Sequence, residues 1–459
     1  MDKKVKLALV VFAKQKEKDK PLMAWPLYSY DPATDISRLK EECNEWVKTL
    51  GIDTEFVIKE WITSEEVYNK IKDELSKVDG LLVYILTTSL NYPLMLKVIK
   101  ELQKPTVIFT EPYHSLAWPE LASLQKEGLP IVSVSSSSKE DLYSALKALY
   151  AYVKLKKYKS IVISTPEEMS LETLHQSEIY AGDRTYNEEY FKRIKELLDL
   201  EFVDYRDLFK LMDQIPDDEA KAIAEKLKSN AYWIRDGIKD EHLVTAAKMY
   251  LAMKRLIKEK SADAITINCF TILLRDPNAL PVTPCIPLSL LNDEGIPAAC
   301  EADLNSMIMQ IVFKHLAGKP SWIVDPVIDF KDNVIIHAHC TAPTKMKGYN
   351  KDPEPYAIDT HDESGKPATI RTKMSIGQEF TAAQISADFK RLVVHKGIIE
   401  DTPIVELACR TKVRTRVKNA REYLWNYVPP LHRVLVYGDL TRDLEYLAKL
   451  LGLEYYMEA

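Results

Sequence analysis

Residues 81–86, Leu81-Leu82-Val83-Tyr84-Ile85-Leu86, form an unbroken apolar run. Six apolar residues with no polar alternate suit a strand covered on both faces, as in the parallel sheets of α/β proteins. Outward from this run the same texture recurs at 5–13, 54–59 and 105–110, and the segments between carry helical patterns at 37–50, 64–77 and 92–102. Strands alternating with helices mean parallel β/α layers. A first α/β domain is therefore expected over 1–157, its last helix, 138–157, ending in Lys154, Lys156 and Lys157.

Ser160-Ile161-Val162-Ile163-Ser164 reads as the first strand of a second α/β domain, 158–320, with helices near 187–199, 217–229 and 241–260 and a strand at 264–268. An amphipathic helix follows at 301–317, where Leu304, Met307, Ile308, Ile311, Val312 and Leu316 recur at helical spacing. Beyond Pro320, strand runs at 322–328, 333–339 and 391–405 come without matching helices, so a mainly β third domain is expected over 321–459. The expected architecture is α/β: two Rossmann-like parallel β/α domains, then a mainly β C-terminal domain. The stretch 341–368, rich in Pro, Gly, Lys and Asp, reads as a long irregular loop, the kind that serves as a lid, a binding loop or a disordered segment.

Composition narrows the function classes. With 459 residues and 46% of them apolar, each of about three domains has material for its own core. The 62 basic and 68 acidic residues give a net charge of −6, an evenly mixed surface without a polyanion-binding footprint, so no nucleic-acid partner is expected. Only 13 residues are glycine, and the nearest pair, Gly365 and Gly377, lies 12 apart. That spacing excludes GxGxxG, GxxxxGK and GxSxG, and with them standard dinucleotide, Walker-type and nucleophile-elbow chemistry. The six cysteines, Cys43, Cys269, Cys285, Cys300, Cys340 and Cys409, never come closer than 15 positions. No CxxC pair forms, and a reduced, cytoplasmic setting with buried, hydrophobe-like thiols is expected. The apolar stretch 5–13 is too short and too closely followed by Lys14, Lys16, Lys18 and Lys20 to be a signal peptide, and no run is long enough to span a bilayer.

Candidate chemistry gathers in the second half of the chain. Glu301 follows Ile296-Pro297-Ala298-Ala299-Cys300 and opens the 301–317 helix, so it falls at the ligand-binding edge of an open sheet or simply favours a helix dipole. Asp325 interrupts Trp322-Ile323-Val324 just before Pro326, as a buried strand-end carboxylate or a turn former. His337 and His339 lie two apart, which on a strand places both on one face, as a metal or proton-shuttle pair or as core residues. His432 enters another apolar run, Val434-Leu435-Val436-Tyr437. Two carboxylates with one or two imidazoles suit a divalent ion such as Mn²⁺ better than a thiolate zinc site.

Read in order, Thr266-Ile267-Asn268-Cys269-Phe270, Pro284-Cys285, Leu291-Asn292-Asp293-Glu294-Gly295, Ala299-Cys300-Glu301-Ala302-Asp303 and His337-Ala338-His339-Cys340-Thr341-Ala342-Pro343 resemble the L-fucose isomerase-like family, related to L-arabinose isomerase. The segment from His432 to Asp439 and the tail Leu451-Gly452-Leu453-Glu454 are similar too. The resemblance covers roughly 230–345 and 430–456. It implies a metal held between the second and third domains by Glu301, Asp325 and His432. His339 matches a further ligand of the arabinose-type branch, which also shows paired histidines where this chain has His432-Arg433.

It further implies aldose–ketose interconversion through an enediol, with Glu301 and Asp325 as the acid/base pair, Mn²⁺ or another divalent metal as cofactor and a small sugar as substrate. The first domain would help close a neighbour's site in a homo-oligomer, a trimer or hexamer, with Trp25 and Tyr30 as candidate contributions. Arg235, Cys269 and Asn426 are candidate substrate contacts. A non-catalytic sugar-binding protein and a different metal-dependent sugar reaction, such as carbon–carbon bond transfer, stand as alternatives.

Overall fold

The computed structural model describes residues 4–58, 61–88, 92–177, 180 and 185–459; residue 59, the end of the expected 54–59 strand, lies outside the described residues. Chain contacts separate two compact units, Met1–Lys154 with Arg442–Glu454, and Leu155–Thr441 with Tyr455–Ala459. The helix Thr441–Leu451 thus falls almost wholly in the first unit, although its sequence position lies within the β-rich stretch 321–459.

In the first unit, β1 (Val5–Phe12), β2 (Thr54–Ile58), β3 (Gly80–Ile85), β4 (Thr106–Thr110) and β5 (Ile131–Ser135) form one sheet in the order β2-β1-β3-β4-β5, every pairing parallel. All of β3 is buried, as an unbroken apolar run requires, and Val10, Val83, Ile85 and Ile108 join its core. The first helix runs Pro32–Leu50, five residues ahead of the expected start. Asp31 caps it by accepting from the Ala33 N–H, and Pro32, which has no N–H to leave unpaired, fits the first turn.

The second unit carries β6 (Lys159–Ser164), β7 (Asp199–Asp204), β8 (Trp233–Ile234), β9 (Ala264–Ile267), β10 (Ala298–Cys300), β11 (Trp322–Asp329), β12 (Val334–His339), β13 (Tyr356–Asp359), β14 (Thr369–Thr372), β15 (Glu379–Ile385), β16 (Arg391–Asp401), β17 (Thr411–Arg416), β18 (Arg433–Tyr437) and β19 (Glu454–Met457). Four of these make a parallel sheet, β10-β9-β6-β7. A small separate sheet runs β14-β13-β8.

The remaining strands run β15-β18-β11-β12-β17-β16-β19, and β15 also pairs with β16. Six antiparallel strands therefore close into a ring, which removes the open edges a flat sheet would leave. Trp322, Val324, Ile335, Phe380, Val413 and Leu435 form its apolar core. The stretch 341–368 is not structureless: it holds β13, and Ala342 and Met346 are fully buried. Its polar composition hid this, because β13 pairs not only with the neighbouring β14 but with the distant β8.

Candidate active site

Glu301 does not open the helix. It stands in the turn between β10 and the helix Leu304–Ala317, whose N-cap is Asp303. Both Glu301 (φ 59°) and Ala302 (φ 53°) take the left-handed conformation, which costs a residue with a side chain roughly 1–2 kcal/mol. The turn is held by the Ala302 N–H on the Ile267 carbonyl (3.0 Å), the Asp303 N–H on the Cys300 carbonyl (3.1 Å) and the Tyr180 hydroxyl on the Glu301 carbonyl (3.1 Å). A sharp turn at the carboxyl end of a parallel strand is where such sheets present ligand-binding groups. The helix-start role expected of Glu301 belongs to Asp303, which accepts from the Ser306 N–H at 3.0 Å.

Asp325 is not at a strand end either. It lies inside β11, opposite Ala338 of β12. Pro326 is tolerated after it because β18 pairs with β11 only at Trp322, Ile323 and Val324, which leaves no N–H required on that side. Since Val324 lies opposite Arg433, the next residues, Asp325 and His432, meet where β18 begins. Their Oδ1 and Nε2 are 3.3 Å apart.

The four residues converge. His339 Nε2 lies 3.6 Å from Glu301 Oε1, His432 Nε2 lies 3.8 Å from Glu301 Oε2, and the two imidazoles meet edge to face at 5.4 Å. Asp325, His339 and His432 each bring one ligand atom within 4.8 Å of the others. Each imidazole has its Nδ1 engaged elsewhere, His432 with Asp303 Oδ2 at 2.9 Å and His339 with Thr341 Oγ1 at 3.2 Å. Both Nε2 atoms are thereby directed at the carboxylates, the arrangement that orients histidine ligands in metal sites.

The electrostatics match. Burial alone would raise Glu301 and Asp325, but His339 and His432 overcome it and hold both below the usual carboxylate range. Burial likewise opposes charge on His432, yet Asp325, Asp303 and Glu301 outweigh it and drive His432 well above its ordinary value. Among the described residues no Lys or Arg pairs with Glu301 or Asp325. The two carboxylates are half-buried and held by imidazoles, and oxygen plus imidazole donors fit a divalent ion of the Mn²⁺ class. Glu301, Asp325, His339 and His432 would hold it.

Glu301, Asp325 and His339 line a cavity together with Cys269, Phe270, Cys285, Cys300, Cys340, His361, Glu363 and Cys409. Five of the six cysteines therefore face one hollow, which spacing along the chain gave no means of finding. His361 and Glu363 belong to the stretch 341–368. Cys269 reaches the cavity, its Sγ 3.3 Å from that of Cys300.

Other candidates lie elsewhere. His337 does not join His339: its Nε2 meets His395 Nε2 at 2.9 Å, the two rings stack, and Phe380 packs against both. Arg433 is buried against Glu458 (2.8 and 2.9 Å) and donates to the carbonyls of Val428, Pro430 and His432, forming a structural ion pair. Arg235 is engaged by Asp359 and Glu406 and does not line the cavity. Asn426 ends the helix Ala420–Trp425, its N–H on the Glu422 carbonyl. Asp303, which orients His432, went unmarked in the sequence although it stands two residues after Glu301. Its aspartate-then-helix pattern, an N-cap, was the available signal.

No family model matches the chain. The sulfoquinovose isomerase of Priestia aryabhattai is 25% identical over 267 residues, 55% of this chain and 56% of the relative, and that of Priestia megaterium matches equally. The sulfoquinovose isomerase of a Clostridium species is 26% identical over 219 residues, 45% of this chain and 46% of the relative. The chain spans about half the length of the curated relatives it matches. Among solved structures, GanP, a glucose-galactose binding protein from Geobacillus stearothermophilus, aligns over 69% of this chain and 92% of its own, at 14% identity and a TM-score of 0.18, a likeness too slight to assign a fold.

Proposed function

We propose that this chain is a divalent-metal-dependent isomerase that interconverts an aldose and a ketose through an enediol, as the similarity to sulfoquinovose isomerases supports. The observation that carries the reading is the meeting of Glu301, Asp325, His339 and His432 from four separated segments, the first three lining one cavity. A bound ion such as Mn²⁺ supplies Lewis acidity toward a sugar's adjacent carbonyl and hydroxyl oxygens. Of the two carboxylates, one removes the C2 proton of the open-chain aldose and returns it to O1, while the other takes up the proton of the C2 hydroxyl and delivers it to C1. Their ionised state, maintained by the two imidazoles, is the form a general base needs. Asp303 keeps His432 in the tautomer whose Nε2 faces the site.

On the same reading, the two parallel sheets are Rossmann-like layers, 157 and 320 mark domain boundaries, and the working enzyme is a cytoplasmic homo-oligomer. No described helix is long and apolar enough to cross a membrane. The test is to assay the full chain, loaded with Mn²⁺, against aldopentoses, deoxyhexoses and sulfoquinovose for ketose formation, with solvent-isotope exchange at C2. Turnover of at least one sugar with C2 exchange is expected. Demonstrable metal binding with no turnover and no exchange across the panel overturns the reading.

A further inference from the structure

The centre is flanked by sulfur. Cys300 Sγ, a Glu301 carboxylate oxygen and a His339 nitrogen all lie within 4.8 Å of one another, and Cys269 adds a second sulfur 3.3 Å from Cys300. Both cysteines are free and nearly buried, and both line the cavity that holds Glu301 and His339. Sulfur, carboxylate and imidazole donors form a softer set than Asp325, His339 and His432, and thiolates select Zn²⁺-like ions over Mn²⁺. The two sets share His339, whose Nε2 can serve a single ion.

We propose that Cys300, Glu301 and His339, with Cys269 beside them, form a second, overlapping site for a thiophilic divalent cation of the Zn²⁺ class. This cation and a harder ion at Glu301, Asp325, His339 and His432 exclude each other. Competition for Glu301 and His339 rests on the divalent centre proposed above, whereas capture by the thiols does not. The identity of the bound metal would then set whether the centre works: a hard ion engages Glu301 together with Asp325 and His432, while a soft ion engages it with sulfur.

Co²⁺ reports thiolate ligation through a sulfur-to-metal charge-transfer band in the near ultraviolet. Metal-free full-length protein titrated with Co²⁺ is expected to develop this band at one ion per chain, and Zn²⁺ to bleach it. Cys300→Ser is expected to lose the band and to weaken Zn²⁺ binding at least about tenfold, since even an outer partner of a ligand contributes about 10–100-fold. Asp325→Asn and His432→Gln are expected to retain it.

In Mn²⁺-loaded protein, Zn²⁺ is expected to release Mn²⁺ one for one, seen as the growing electron paramagnetic resonance signal of the free ion. No band in the wild-type chain, an undiminished band in Cys300→Ser, or Mn²⁺ retained while Zn²⁺ binds overturns the site. If Cys300→Ser does not fold, the wild-type band and the Mn²⁺ release still decide. Turnover without a band counts against this site alone, and a band without turnover against the isomerase reading alone.

Discussion

Asp303 Oδ2 accepts a 2.9 Å hydrogen bond from His432 Nδ1 while the same carboxylate caps the helix Leu304–Ala317 through the Ser306 N–H and hydroxyl. One side chain thus joins the start of a helix to the orientation of an imidazole 129 residues away in the chain. The helix start and the site share a fixed point.

The two roles of Asp303 are separable. Asparagine caps a helix about as well as aspartate, but its neutral amide holds His432 less firmly. Asp303→Asn is expected to leave thermal stability nearly unchanged while Mn²⁺ affinity falls about 10–100-fold, measured by isothermal titration. Asp303→Ala should lose a further ~1 kcal/mol of stability with the cap. Equal losses of stability in both variants would reduce Asp303 to a structural part.

Glu301→Gln keeps the shape of the side chain and removes its charge. A drop in kcat/KM of about 10²–10⁴-fold is expected, the usual worth of a general acid or base, together with loss of C2 proton exchange. Circular dichroism and melting temperature should stay close to wild type. Retained exchange would take Glu301 out of the proton transfer.

His339 stands 3.6 Å from Glu301, and its Nδ1 is tied to Thr341. His339→Gln is expected to weaken Mn²⁺ binding at least about tenfold, with Thr341→Val, which frees the Nδ1, giving a smaller loss in the same direction. Metal titrations of the two variants check this. Unaltered affinity in His339→Gln would leave the ion to Glu301, Asp325 and His432.

The Arg433–Glu458 pair predicts acid behaviour. Burial works against the charge of Glu458, but Arg433 and His395 prevail and hold its carboxyl down to about 2, against an ordinary value of 4.5 in the unfolded chain. A lowered folded value means the stabilisation is present above about pH 4.5 and is lost as pH falls through about 2, a contribution on the order of 3 kcal/mol. Denaturant unfolding between these pH values should show the slope, and Glu458→Gln should flatten it. At neutral pH that variant should be less stable by about 3–5 kcal/mol, because Arg433 is left buried without its partner.

The sequence by itself determined the alternation of strand and helix around Leu81–Leu86, the β-rich texture beyond Pro320 and the absence of glycine-loop chemistry, because these are local patterns in which each residue's neighbours are a few positions away. It also brought Glu301, Asp325, His339 and His432 to notice by residue type and order. The tertiary structure decided what order along the chain does not encode. Closure of β15 on both β16 and β18, the meeting of Asp325 with His432, the parting of His337 from His339 and the gathering of five cysteines all depend on pairings between distant strands. Which atoms face one another across such pairings is fixed by register and by turns like that at Glu301 and Ala302. Those are settled only when the whole core packs.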